Sequence, residues 1–246
     1  TKMNLMTTHI GSLPFNNIED AINFNKAFDL PVISTLPNIN SNELMLEQFA
    51  IGILNSSIID YKVNISSLEF IKGFKLNFLI LDEFKKEFSN KSIKWQIVGP
   101  ITFIKSFKNQ LSQAEILNLL NWYQSLILKF YLEHKNSFNK ILFVMDEPMF
   151  DIKLKKELGS VIDFLIETDM ELGIHCCSKL EMTDLVGLKL DYLSIDCTLY
   201  GQQELLRILE LETNLISGIV STVSGDISFK NETVLKHQNI YHQAVV

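Results

Sequence analysis

"KILFVMDEPMFDIKLKKELGSVIDFLIETDMELGIHCC", residues 140–177, holds one whole structural unit in its hydrophobic pattern. It opens on KILFVMDEP, a short apolar run that ends in two carboxylates and a proline, and it closes on ELGIHCC, a second such run. Continuous apolar runs of this length, bounded by charged or turn residues, mark strands buried on both faces, as in a parallel sheet. Between them, IKLKKELGSVIDFLIETDM repeats its apolar residues at helical spacing. Strand, helix and strand in succession make a βα unit, and a parallel pair needs such a crossover.

The same pattern extends in both directions. KWQIVGP, LDYLSID and NLISGIVST read as further strands, and SQAEILNLLNWYQSLILKFYLEH and GQQELLRILELE as further helices. Counting from NLMTTHIGS gives seven strands, with IYHQAVV (240–246) the candidate for an eighth. No G-x-G-x-x-G follows the first strand, and the polar motifs fall at strand C-termini all along the chain. A doubly wound sheet would gather them at one switch point, whereas a barrel collects its site at that face of every strand. The expectation is α/β: a (β/α)8 TIM barrel, one domain over residues 1–246, with its eighth unit incomplete within this sequence.

Composition narrows the function classes. The 246 residues are 47% apolar and 21% charged, which is ordinary globular usage, and the net charge of −7 argues against a nucleic-acid or anionic-membrane binder. No apolar run reaches the roughly 18 residues of a membrane span, and TKMNLMTTHIGSLP does not read as a secretory signal. Three cysteines without a regular framework suit a reducing cytoplasm.

The densest chemistry lies in ELGIHCCSKL (171–180). On a strand, successive side chains alternate faces, so His175 and Cys177 point one way and Cys176 the other. A histidine and a cysteine two apart can share a tetrahedral zinc, at about 2.0 Å to nitrogen and about 2.3 Å to sulfur. Adjacent cysteines lack the spacing of a C-x-x-C redox pair, and a vicinal disulfide would be strained. Two small buried hydrophobes beside a satisfied histidine are the simpler reading of the motif. The motif alone leaves both readings open.

Four motifs in order carry a resemblance: TTHIGSLPF near the start, VGPITF at 98–103, MDEP at 145–148 and GIHCCS at 173–178. Together they resemble the methionine synthase and uroporphyrinogen decarboxylase-like barrel superfamily. Within it they are most similar to the catalytic barrel of cobalamin-independent methionine synthase and its short single-barrel relatives. The resemblance implies a zinc-dependent methyltransferase acting on a small thiol such as homocysteine, with a place in methionine biosynthesis. A free thiol is only about 3% thiolate at pH 7, and a zinc ligand position deprotonates it. The resemblance further implies that Ile10, Gly11 and Ser12 contact the amino-acid part of the substrate. It places Asp146 on the ammonium group and Thr102 near the methyl donor. It makes His175 and Cys177 zinc ligands, with Asp196 standing where the synthases have a glutamate ligand.

The sequence also departs from that pattern. No cysteine follows Cys197, although the family's last zinc ligand is a cysteine after the eighth strand, and His242 is a poor substitute. A weak or empty metal site is therefore expected in this chain. Where the synthases have an acidic residue after the second strand, TLPNINSNE offers Asn38 and Asn40, with Glu43 displaced. Ser106 stands near the position of the tryptophan that supports folate, and GIVSTVSGD lacks the late histidine proton donor. These gaps favour a methyl-corrinoid or corrinoid protein over folate as donor. Arg207 is the sole arginine, too few cations for a decarboxylase that clamps several carboxylates. The alternative function is a degenerate, non-catalytic barrel that binds a small ligand or a partner protein.

Overall fold

The computed structural model describes residues 6–210 and 213–218. Its centre is a six-stranded parallel sheet with spatial order β1 (Val32–Ile33), β4 (Ser92–Val98), β5 (Lys140–Asp146), β6 (Glu171–Cys176), β7 (Tyr192–Asp196) and β8 (Asn214–Gly218). Between β1 and β4 the chain makes a separate antiparallel hairpin, β2 (Ser57–Ile59) with β3 (Lys62–Asn64). Residues 7–13 run beside the residues around β1: Leu30 N–H donates to the Thr7 carbonyl, Thr35 N–H to Gly11, and Leu13 N–H to Thr35. Ser12 and Thr35 form a parallel bridge there. Strands and helices alternate from β4 onward, as the βα pattern requires.

The helices are α1 (Ile18–Asn25), α2 (Glu47–Ala50), α3 (Leu81–Phe88), α4 (Pro100–Ser106), α5 (Gln113–His134), α6 (Lys155–Leu165), α7 (Met182–Leu185) and α8 (Gln202–Leu209). The longest, α5, starts at a capping box. Ser112 Oγ accepts from the Glu115 N–H at 3.3 Å, and Glu115 Oε2 accepts from the Ser112 N–H at 2.8 Å, so two first-turn donors are satisfied reciprocally. The stretch 152–170 is helical only over α6, preceded by a 3-10 turn at Ile152–Leu154. The candidate eighth strand at 240–246 lies outside the described residues, as do His242 and most of GIVSTVSGD.

Strand register sorts the side chains into two sets. Trp95 is paired with Phe143, and both face the helices: the Trp95 ring lies 4.2 Å from that of Phe130 on α5 and 4.8 Å from Phe143. Ile93, Ile97, Met145, Ile174 and Ile195 join this cluster. The opposite face carries Lys94, Gln96 and Val98 on β4, then Leu142, Val144 and Asp146, then Gly173 and His175, then Ser194 and Asp196. Lys94 Nζ donates to the carbonyl of His9, so it reaches past β1 to the segment beyond it. The sheet therefore curves around this second face, and the polar residues are packed inside the curve.

The long excursion between β1 and β4 is fastened at its neck. The Glu43 carboxylate, 3% exposed, accepts from the Leu36 N–H at 2.6 Å and the Leu79 N–H at 2.5 Å. Each oxygen thus takes one backbone donor, one where the excursion leaves and one where it returns.

Candidate active site

The C-terminal ends of the strands bring the candidate residues to one side of the molecule. Asp146, last in β5, is paired with Val98 on one side and His175 on the other, and His175 is paired with Ser194. Asp196 ends β7 beside Gly218. Ser12 lies at the same end of the sheet, bridged to Thr35 just past β1. Gly11 has φ +126°, in the range that favours glycine, and a Cβ there would come to 3.2 Å from Val32 Cγ1 and 3.7 Å from Gln96 Cβ. Gly11 thus packs against Val32 on β1 and near Gln96 on β4, the strand residue that bonds Asp146, with Ile10 and Ser12 exposed.

Asp146 is held from below. Its Oδ2 accepts from Gln96 Nε2 at 3.3 Å, and Gln96 Oε1 accepts from Lys94 Nζ at 3.0 Å. Burial pushes Asp146 up to about 6, opposed by the Gln96 hydrogen bond and the Lys94 charge. His175, 7% exposed, shares its Nδ1 with Ser194 Oγ at 2.9 Å. Burial lowers it to about 4, assisted by the charge of Lys94 and opposed by that of Asp196, so the ring is a neutral imidazole at pH 7. Burial lowers Lys94 to about 7, with Asp146 pulling the other way.

That last shift predicts a pH dependence. Folded Lys94 gives up its proton near pH 7, while an unfolded lysine keeps its own to about 10.4. Between those values the folded state binds fewer protons, so stability rises with pH there and is lost as pH falls through 7. Between pH about 7 and about 10, denaturant titrations of the wild type should gain several kcal/mol relative to a Lys94→Met variant. Parallel curves for the two proteins would mean that folded Lys94 stays charged.

The two adjacent cysteines have different surroundings. Cys176 is fully buried in the helix-side core, and its thiol donates to the Glu147 carbonyl at 3.1 Å. Cys177 follows the end of β6 and is exposed. Burial raises its thiol pKa, and the negative charges of Asp146 and then Asp196 push the same way. Asp196 Oδ1 accepts from the Thr198 N–H at 2.9 Å and from Thr198 Oγ1 at 2.6 Å, capping the 3-10 turn at Cys197–Leu199.

The described residues do not form a metal centre. No group of three His, Cys, Asp or Glu among them is placed to hold an ion. Of the expected ligands, His175 is engaged through Nδ1 by Ser194 and Asp196 through one oxygen by Thr198. Thr102 is enclosed, 1% exposed, with its hydroxyl donating to Glu147 Oε2 at 2.7 Å and accepting from the Met149 N–H at 3.2 Å. Ser106 is fully buried and bonded to the Phe103 carbonyl at 2.6 Å. Asn38 Nδ2 donates to the Pro14 carbonyl at 2.9 Å, and Asn40 caps the 3-10 turn at Ser41–Glu43.

Three residues of the site went unremarked in the sequence. Lys94 and Gln96 sit in KWQIVGP, where alternating lysine and glutamine inside an apolar strand was the available signal. Glu147, the second acid of MDEP, is fully buried. Its Oε1 accepts from the Ile101 N–H at 2.9 Å and its Oε2 from the Thr102 N–H at 2.7 Å, so it caps α4 from the neighbouring strand end.

A parallel α/β sheet with its polar residues at the strand C-termini is the arrangement of barrel-type enzymes and binding proteins. Among solved structures, a B12-independent methionine synthase from Shewanella sp. W3-18-1, in complex with selenomethionine, is similar to this chain. The TM-score is 0.57 at 13% identity, over 87% of this chain and 80% of that one. The likeness establishes a distant relationship in fold to that barrel. No protein-family profile matches the sequence, and no curated protein matches it significantly. Among the described residues, no helix is long and apolar enough to cross a membrane.

Proposed function

We propose that this protein is a transferase of the methionine synthase type, which binds a small amino-acid thiol such as homocysteine at the C-terminal ends of its strands and moves a methyl group to the sulfur. The observation that carries the reading is Asp146. A carboxylate at the end of β5 is supported from below by Gln96 and lies at the same end of the sheet as the Ile10–Gly11–Ser12 turn, on a fold similar to a methionine synthase. Such a group is suited to a ligand ammonium, since hydrogen bonds between charged partners are roughly twice as strong as neutral ones. The similar synthase was solved with an amino acid bound, selenomethionine.

In this reading Asp146 fixes the amino group, and the neutral His175 and the exposed Cys177 border the place of the thiol. Zinc is the metal that this chemistry uses to generate a thiolate. The described residues do not present a set that fits it, so the reading rests on recognition of the ammonium and on the fold. For the donor, a corrinoid-bound methyl group is favoured over folate. Ser106, near the position of the synthases' folate-supporting tryptophan, is buried and bonded to its own helix and offers no stacking platform.

Calorimetric titration with L-homocysteine is expected to show binding that Asp146→Asn weakens by about ten- to a hundredfold, the loss of one charge-assisted hydrogen bond. Unchanged affinity in that variant would overturn the reading. That the described residues present no metal-holding group favours one second reading, a barrel that binds the same ligand without turning it over. Homocysteine binding with no methionine formed from methylcobalamin or methyl-folate, in the presence of added zinc, would select it.

A further inference from the structure

We propose that Lys94 is a positioning residue that acts through the Gln96 amide to aim the Asp146 carboxylate, and thereby sets the preference of the site for ligands carrying a primary ammonium group. The inference rests on the reading that Asp146 receives such a group.

The geometry is directional. Protonated, Lys94 Nζ can only donate, and a carboxylate can only accept. Gln96 stands between them with Oε1 3.0 Å from Nζ and Nε2 3.3 Å from Asp146 Oδ2. Its amide has one acceptor end and one donor end, so only one of its two flip states satisfies both neighbours. Rotating the amide by half a turn would set donor against donor at Lys94 and acceptor against acceptor at Asp146. Lys94 is itself fixed: it is 1% exposed, and a second donor bond goes to the His9 carbonyl, a backbone atom that cannot turn away. A neutral lysine amine keeps two N–H groups for these two acceptors, but its lone pair can also accept, so the orienting effect is strictest while Lys94 is protonated. Gly11 packs close by, where a Cβ would lie 3.7 Å from Gln96 Cβ.

The chain His9 carbonyl, Lys94, Gln96, Asp146 therefore runs from the first segment of the fold to the end of β5. It leaves Asp146 Oδ2 tied below and its other oxygen, Oδ1, available to a ligand. Without the tie the carboxylate can rotate about its last torsion, which is broad and nearly two-fold, and an ammonium partner loses its preset acceptor.

The test compares two probes of nearly equal shape, L-homocysteine and 4-mercaptobutanoate, which lacks the amino group. In the wild type, homocysteine is expected to bind at least about tenfold more tightly. Lys94→Met is expected to bring that ratio down severalfold while leaving the affinity for mercaptobutanoate unchanged, which general loosening of the fold would not do. Gln96→Met, which keeps Lys94 in place, should give the same result and carries the test if Lys94→Met fails to fold. Retention of the wild-type ratio in both variants would overturn the positioning role while leaving the Asp146 reading intact. A wild type without preference for the amino group would overturn both.

Discussion

Trp95→Ala is expected to destabilise the fold by about 3–5 kcal/mol, the range for deleting a large buried aromatic ring. Trp95 is fully buried in the middle of β4 and packs against Phe78, Phe130 and Phe143, so its loss opens a cavity where the strand, α5 and the next strand meet. A substantial fraction of the stability of a typical domain would go with it. Trp95→Phe should cost much less. It keeps a ring in the cluster, and it removes an indole Nε1 that is buried without a hydrogen-bond partner and so carries a desolvation cost in the wild type. Chemical denaturation of the three proteins checks the order. Equal losses for Ala and Phe would show that the indole edge, and not the ring volume, holds this part of the core.

The second large effect concerns the pair Gly99 and Glu147. Gly99 is the N-cap of α4 and has no side chain to accept from the first-turn donors, so Glu147 does this work from the next strand. Glu147→Ala strands the N–H groups of Ile101 and Thr102 and the Thr102 hydroxyl in a buried place, at a cost of about 3 kcal/mol or more given about 1–3 for each unsatisfied group. Gly99 must remain without a side chain for the same reason. A Cβ there would lie 2.7 Å from Glu147 Cγ and would overlap the carboxyl group. Gly99→Ser is accordingly expected to be damaging alone. Combined with Glu147→Ala it should recover about 1 kcal/mol, because a serine N-cap can then enter the vacated space and accept from the helix. Additive losses in the double variant would show that the two residues do not compete for one volume.

The parts of the fold that could be read in the sequence are those whose cause is local. The apolar runs at 140–146 and 171–176 became β5 and β6, and the helical pattern at 112–134 became α5. The same logic put Cys176 and Cys177 on opposite faces, and the structure buries the first and exposes the second. What escaped was decided by contacts between distant segments. The hairpin of β2 and β3 turns through Asp60 and Tyr61, both at positive φ (51° and 58°), with none of the glycine that usually marks such a turn. Lys94 and Gln96 became informative only once His9 and Asp146, far away in sequence, were brought to either end of them. Glu147 looked like a neighbour of the candidate ligand-binding acid, and its role as a helix cap depends on β5 ending beside α4. The full count of eight strands also stayed open, since the described residues give six strands in one parallel sheet and the segment at 7–13 beside it.

Glu43 has a consequence for how this fold can change over time. Its two oxygens hold Leu36 and Leu79 together, so everything between those residues hangs from a closed neck. The entropy of closing such a segment grows slowly, by about 0.6 kcal/mol for each doubling of its length. Insertions at the exposed hairpin tip, Asp60–Tyr61, therefore disturb the sheet little, whereas Phe49, Val63 and Phe78 hold the rest of the excursion in the core. One side chain closes the neck, and the packed residues beyond it hold the excursion to the sheet, so drift in length is confined to its exposed tip while the strand ends that build the site stay in register.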